Sequence, residues 1–229
     1  MGIKRYFATA DNTITNAFKN DLITRGTGSN MGASDILEAF VIHGQTSASI
    51  SAENAEQSRI LLQFDVQNIL DDISAGIIPS SSVEYRLKMY NAPHGNTTPV
   101  SYSLGVFLST KAWSEGNGLD MENYTDLGES NWEYASDTTE WSNTGSDYKV
   151  DANYSSSFHF SGGLENLDLD ITSFAMDRWR SGELSNYGFL LRHEDAVISG
   201  SLGTYYTKRF FGRNSEFYFG IVTGKRSNI

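Results

Sequence analysis

Acidic side chains, histidines and tryptophans are the chemistry-bearing residues of this 229-residue chain: 28 Asp and Glu, four His and four Trp. Two carboxylate pairs stand out. Asp168 and Asp170 lie two residues apart, and Glu194 and Asp195 are adjacent. Either pair could act as the acid and base of glycoside hydrolysis, or as hard oxygen ligands for calcium. Among so many acidic residues such pairs also arise without function. Structural calcium is the better of the two ideas, since carboxylates and backbone carbonyls can pin loop ends where no disulfide does. No EF-hand string supports it. His43, His94, His159 and His193 sit in separate segments with none at ligand spacing, which favours packing or surface roles over zinc. A catalytic serine would announce itself as Gly-x-Ser-x-Gly on a strand-to-helix turn, and that string does not occur. The glycines from Gly26 to Gly32 are followed by no helical pattern, so they form a turn and not a dinucleotide loop. With no cysteine in the chain, thiol nucleophiles, thiolate metal sites and disulfides are excluded. No nucleophile, base and oxyanion donor can be assembled, and the expectation is a protein that is not an enzyme.

The tryptophans divide by context. Trp179 falls on the apolar face of a helical pattern and belongs to the core, as does Trp113. Trp132 and Trp141 lie among Glu, Ser, Asn and Thr. They are the best candidates for exposed rings that stack on sugars, with capping of the fold as the commoner role for such residues. Arg59 and Asp65 bracket an apolar run, and their first reading is structural, as anchors for neighbouring loops.

The elements that would position these residues are mostly strands. Val83 to Met89 and Tyr102 to Leu108 alternate apolar and polar, the mark of half-buried strands. Ile60 to Val66 and Ile36 to Val41 open with continuous apolar runs that suit inner strands, Tyr187 to Leu191 suits a strand covered on both sides, and Phe217 to Val222 closes the chain as a last strand. One short helix is expected near residues 172–181, because Ile171, Phe174, Ala175 and Trp179 share a face; Asp170 or Thr172 can cap its start and Gly182 stops it. Long connections are expected at about 44–56 and 117–154, the latter holding Trp132 and Trp141.

Composition agrees. Gly outnumbers Pro 21 to 3, and Phe and Tyr are abundant, which fits many strands joined by tight turns in one domain over residues 1–229. The net charge of −11 argues against nucleic acid, whose phosphates require clustered Lys and Arg. No apolar run follows the charged start, so neither a secretory signal nor a membrane span is expected.

Taken together, several segments resemble the DNRLRE domain family, which is similar to alginate-binding carbohydrate-binding modules. The resemblance covers nearly the whole chain. It rests on Thr9-Ala10-Asp11, Ser29-Asn30-Met31-Gly32, the strand Ser58-Arg59-Ile60-Leu61-Leu62-Gln63-Phe64-Asp65, Tyr85 to Tyr90, Trp113-Ser114-Glu115 and Asn131-Trp132. It closes on Asp170-Ile171-Thr172, Trp179, Gly182 and Asn186-Tyr187-Gly188, with Lys208 to Arg213 before the last strand. The chain departs from the family at Asn214-Ser215-Glu216, where an Arg-Pro pair is usual. The resemblance implies an all-β, antiparallel two-sheet jelly-roll sandwich, with Arg59, Phe64, Asp65, Trp113, Asp170, Trp179, Gly182, Asn186 and Gly188 as its structural motif.

Two functions compete. The first is a virion structural protein of a bacteriophage, such as a capsid decoration, collar or tail component, packed against copies of itself and other virion proteins through the long loops. The second is a module that binds a polysaccharide through Trp132 and Trp141. The first is favoured, because an acidic glycan would want a basic groove that a chain of net −11 makes hard to build.

Overall fold

The computed structural model describes residues 2–44, 54–95, 97–119, 129–200, 205–215 and 221–225, the last stretch by its backbone alone. Thirteen strands appear among them: β1 (Lys4–Tyr6), β2 (Ala8–Thr15), β3 (Ile36–Ile42), β4 (Glu56–Phe64), β5 (Val83–Met89), β6 (Tyr102–Leu108), β7 (Tyr134–Ser136), β8 (Thr139–Glu140), β9 (Ser155–Phe160), β10 (Leu167–Asp170), β11 (Phe189–His193), β12 (Tyr205–Phe211) and β13 (Ile221–Lys225). The large sheet runs β12-β3-β4-β11-β6-β9, with β2 also on β4; the small sheet runs β1-β13-β5-β10; β7 and β8 form a separate hairpin. Every pairing is antiparallel, and the protein is an all-β sandwich with a few short helices.

Alternation sets the core. Ile60, Leu62 and Phe64 of β4 and Phe189 and Leu191 of β11 belong to the same buried cluster as Tyr85, Leu87 and Met89 of β5 and Leu167 and Leu169 of β10. Phe189 stands at its centre, with the Phe64, Phe174 and Trp179 rings at 6.1, 6.3 and 5.0 Å in edge-on contact.

The helix near 172–181 is present, and its first turn is π-helical, Thr172–Met176, continuing as an α-helical turn at Asp177–Ser181. Two side chains make the switch from strand to helix. Asp170 Oδ1 accepts from the Thr172 N–H at 2.8 Å, and Thr172 Oγ1 accepts from the Tyr85 N–H at 2.9 Å, so a hydroxyl takes over a partner the strand would have supplied. Gly182, at φ +74°, ends the helix in the left-handed region.

Two boundaries correct the sequence reading. The run Ile60 to Val66 is not strand to its end: Asp65 accepts from the Gln67 N–H at 3.0 Å and caps a nine-residue helix, α1 (Val66–Ser74), which buries Val66 and Ile69. That helix was not expected, and its Asp cap followed by apolar residues at positions 66, 69, 70 and 73 is the signal that could have found it. The strand expected from Tyr187 begins at Phe189 and runs to His193, after the positive-φ Gly188. The expected last strand over 217–222 is described only from Ile221, and most of the 44–56 loop lies outside the described residues.

The 117–154 connection is no free loop in its described part. On the outer face of the large sheet Ile14, Leu61 and Leu190 form a second apolar cluster with Trp132, Ala135 and Trp141, and Phe107, Trp113 and Tyr148 pack against it. β4 and β11 are therefore apolar on both faces because both faces are covered.

Candidate functional site

Trp132 and Trp141 are 6 % and 5 % exposed, so of the two roles open to them they take the commoner one, capping the fold, and their rings do not stand free for sugar stacking. The cause is the sheet beneath them. Leu61 and Leu190 present an apolar floor that the indoles cover. Trp141 Nε1 donates to the Asn131 carbonyl at 2.8 Å, and Trp113 Nε1 to the Tyr187 carbonyl at 3.1 Å, so both indole N–H groups are used in holding the cover.

Under this cover lie two nearly buried arginines on neighbouring strands. Arg59 Nη1 donates to the Gly145 carbonyl at 2.6 Å, its guanidinium lies 4.6 Å from the Trp132 ring, and burial lowers it to about 10, which leaves it charged. Arg192 Nη1 donates to Asp195 Oδ1 at 2.7 Å, and its guanidinium lies 5.2 Å from Phe107 and 5.5 Å from Tyr148. Both bind the covering segment to the sheet. Asp195 thus belongs to an ion pair and not to a carboxylate pair with Glu194.

The other acidic pair is likewise divided. Asp168 takes hydrogen bonds from Arg86 and, at 2.6 Å, from Lys88 on the open face of the small sheet; burial opposes its ionisation, but the two cations hold it below the usual carboxylate range. Asp170 is occupied in accepting from the Thr172 N–H where strand turns to helix. Among the described residues no three His, Cys, Asp or Glu side chains gather to hold a metal.

The remaining motif residues act on the backbone. Asn186 Nδ2 donates to the Phe64 carbonyl at 2.6 Å while its Oδ1 accepts from the Gly188 N–H at 3.0 Å, a clasp between β4 and the entry to β11. Gly188 sits at φ +81° with the Leu62 carbonyl where a Cβ would be, so only glycine fits there.

Sequence reasoning missed a polar cluster that ties four segments together. Asp11, Asn30, Glu115 and Arg213, from four motifs far apart in the chain, converge where the cover meets the sandwich. Arg213 makes a two-pronged pair with Glu115, its Nε at 2.6 Å from Oε1 and its Nη2 on Oε2. The Arg213 N–H donates to Asp11 Oδ2 at 2.6 Å, and the Asp11 N–H donates to Glu115 Oε1 at 2.8 Å. Asn30 Nδ2 donates to the Glu115 and Ser130 carbonyls at 2.7 and 2.8 Å, and its Oδ1 accepts from the Gly32 and Gly118 N–H groups, each at 3.0 Å. Asp11 is fully buried, and burial pushes its carboxyl up to about 6. A carboxyl at about 6 could serve as an acid or base, but general acid-base work needs a route for substrate, and Asp11 has no exposed surface.

Two of the histidines follow the same pattern. His193 is 1 % exposed, donates through Nε2 to the Ala39 carbonyl at 3.0 Å, and is lowered to about 4 by burial, so it is neutral at pH 7. His43 is buried against the Val197 carbonyl at 3.2 Å. His159 is exposed beside Ser103, 3.2 Å from Nδ1, and Ser101. A groove of about 540 Å³ beside α1, lined by Phe64, Asp65, Leu70, Trp179 and Asn186 among others, has Asp65 as its one ionisable lining residue, and that carboxylate is taken up in capping. No family model matches the chain, and a search among curated proteins found no match.

Proposed function

We propose that this chain is a non-catalytic structural protein of a bacteriophage virion, a capsid decoration, collar or tail component that acts through contacts with its own copies and with other virion proteins. One observation carries the non-catalytic part. The side chains best suited to chemistry are used as ties: buried Asp11 joins three segments with the partly buried Glu115 and Arg213, Arg59 holds the cover, Arg192 pairs with Asp195 under Tyr148, and His193 serves the core. Such use favours a rigid scaffold over a site that must admit a substrate. The polysaccharide reading loses support with the burial of Trp132 and Trp141, its two stacking rings. The virion assignment itself is carried by the resemblance and by the fold class that it shares with many assembling proteins.

Mass spectrometry of purified phage particles from the source tests the proposal. Presence of the protein in a fixed ratio to the major shell or tail protein is expected. Its absence from particles, together with recovery in a secreted fraction that binds polysaccharide, overturns it.

A further inference from the structure

Lys208 lies in β12 in phase with the core residues Tyr206 and Phe210 and is 0 % exposed. Its Nζ touches three neutral oxygens: Asn91 Oδ1 at 2.7 Å, the Glu165 carbonyl at 2.7 Å and the Gly163 carbonyl at 3.0 Å. Aromatic rings wall the amine, Phe160 at 4.4 Å and Phe210 at 5.3 Å. Asn91 is fixed in turn. It bridges Phe210 in backbone register, its N–H donates to Asn166 Oδ1 at 2.9 Å, and the Ala92 N–H donates to the Arg209 carbonyl at 3.0 Å. The carboxamide of Asn91 is thus held against a desolvated primary amine, with its carbon one bond behind the oxygen that the amine touches.

We propose that Lys208 Nζ and Asn91 Cγ join in an intramolecular isopeptide bond, which staples the edge strand β12 of the large sheet to the chain leaving β5 of the small sheet. The neutral amine attacks Cγ, the carbonyl electrons move to Oδ1 and return, and the C–Nδ2 bond breaks. A proton passes from Nζ to the leaving nitrogen, so that amine and carboxamide become a secondary amide and ammonia with no oxidant or reductant. Burial supplies the neutral amine by lowering Lys208 to about 8, and the fixed contact supplies the proximity. Glu165 is the charge partner of the step. The Gly162 N–H, with the Ser161 N–H and hydroxyl, holds its carboxylate ionised at about 2, and that carboxylate acts on the Lys208 charge, so it stabilises the positive charge that Nζ gains as it attacks Cγ, before the proton leaves for Nδ2.

The test is intact-mass spectrometry of the full chain, aged at about pH 9 where Lys208 is largely neutral, followed by peptide mapping. The expected wild-type mass is lower than the sequence mass by one ammonia, with a branched fragment that joins the peptides carrying Asn91 and Lys208. K208R, folded by circular dichroism, keeps the full mass. E165Q, also folded, forms the branch far more slowly. A wild-type chain at full mass with linear peptides overturns the proposal, and so does an ammonia loss that maps to Asn117-Gly118, where a succinimide would form, in place of a branch. Equal rates of branching in E165Q and wild type overturn the role of Glu165.

Discussion

On the outer face of the large sheet Leu61 and Leu190 are 0 % exposed beneath Trp132 and Trp141, while the outward positions of β5 and β10 on the small sheet hold Glu84, Arg86, Lys88 and Asp168, all partly exposed. Both sheets alternate, and both turn one set of side chains to the shared core. They differ in what lies outside. A strand covered on one face shows its alternation in sequence, as Val83 to Met89 does, whereas a strand covered on both faces shows a continuous run, as Phe189 to Leu191 does. The ion pairs of the open face sit in water and contribute little each, roughly 0 to 1 kcal/mol. The covered face gains from every buried ring, on the order of 25 cal/mol per Å² of apolar surface removed from water. Stability should therefore be far more sensitive to the cover than to the ladder of charges.

Removing the cover's central ring is the strongest way to break this contrast. Trp132→Ala opens a cavity over Leu61 and Leu190 and strips Arg59 of the ring 4.6 Å from its guanidinium, leaving a buried cation less well accommodated. A loss of about 3 to 5 kcal/mol in chemical unfolding is expected. A loss below about 1 kcal/mol would mean that the cover floats on the sheet and that the comparison is wrong.

Gly188→Ala attacks the sheet under the cover through the backbone. The added Cβ collides with the Leu62 carbonyl and holds an L-residue at φ +81°, so β4 and β11 must separate at Phe189 and Leu62. The backbone strain alone costs about 1 to 3 kcal/mol, before any lost pairing. Hydrogen exchange should show lost protection at Leu62 and Phe189 before the edge strand β9 responds.

Acid separates two buried groups of opposite sign. Asp11 rises from its ordinary 3.8 to about 6, so its native state prefers the proton: the stability this gives is full below 3.8 and is lost as pH rises through 6. His193 falls from 6.5 to about 4, so its contribution is present above 6.5 and is lost as pH falls through 4. Each is on the order of 3 kcal/mol, and over pH 4 to 6 they oppose each other. Wild-type stability should be nearly flat across that window. Asp11→Asn leaves the histidine alone, so the variant should weaken on acidification; His193→Gln should strengthen. Denaturant midpoints at pH 4, 5, 6 and 7 read this directly, and parallel profiles for the two variants would refute the assignment of both groups.

Most of the framework was legible in the sequence, because period-two alternation and the spacing of Ile171, Phe174, Ala175 and Trp179 are local signals. What escaped depends on tertiary neighbours. Trp132 and Trp141 sit among polar residues, and nothing near them in sequence reveals the apolar floor made by β4 and β11. Asp11, Asn30, Glu115 and Arg213 were visible as separate motifs, yet their convergence follows from strand order, which periodicity does not encode. Lys208 did leave a trace: it shares the phase of Tyr206 and Phe210, so a lysine on the buried side of a strand could have been noticed.

The smallest expected effect sharpens the contrast from the open side. Asp168 bridges Arg86 and Lys88, whose side chains are 35 % and 33 % exposed, so water already screens each pair. Lys88→Ala should cost no more than about 0.5 kcal/mol, and that cost should fade in high salt. Arg86→Ala should cost somewhat more, since Arg86 also pairs with Glu84 and donates to the Asp168 carbonyl. If either change matched Trp132→Ala in size, the open face would be carrying a load that its exposure does not allow, and the contrast between the two faces would be wrong.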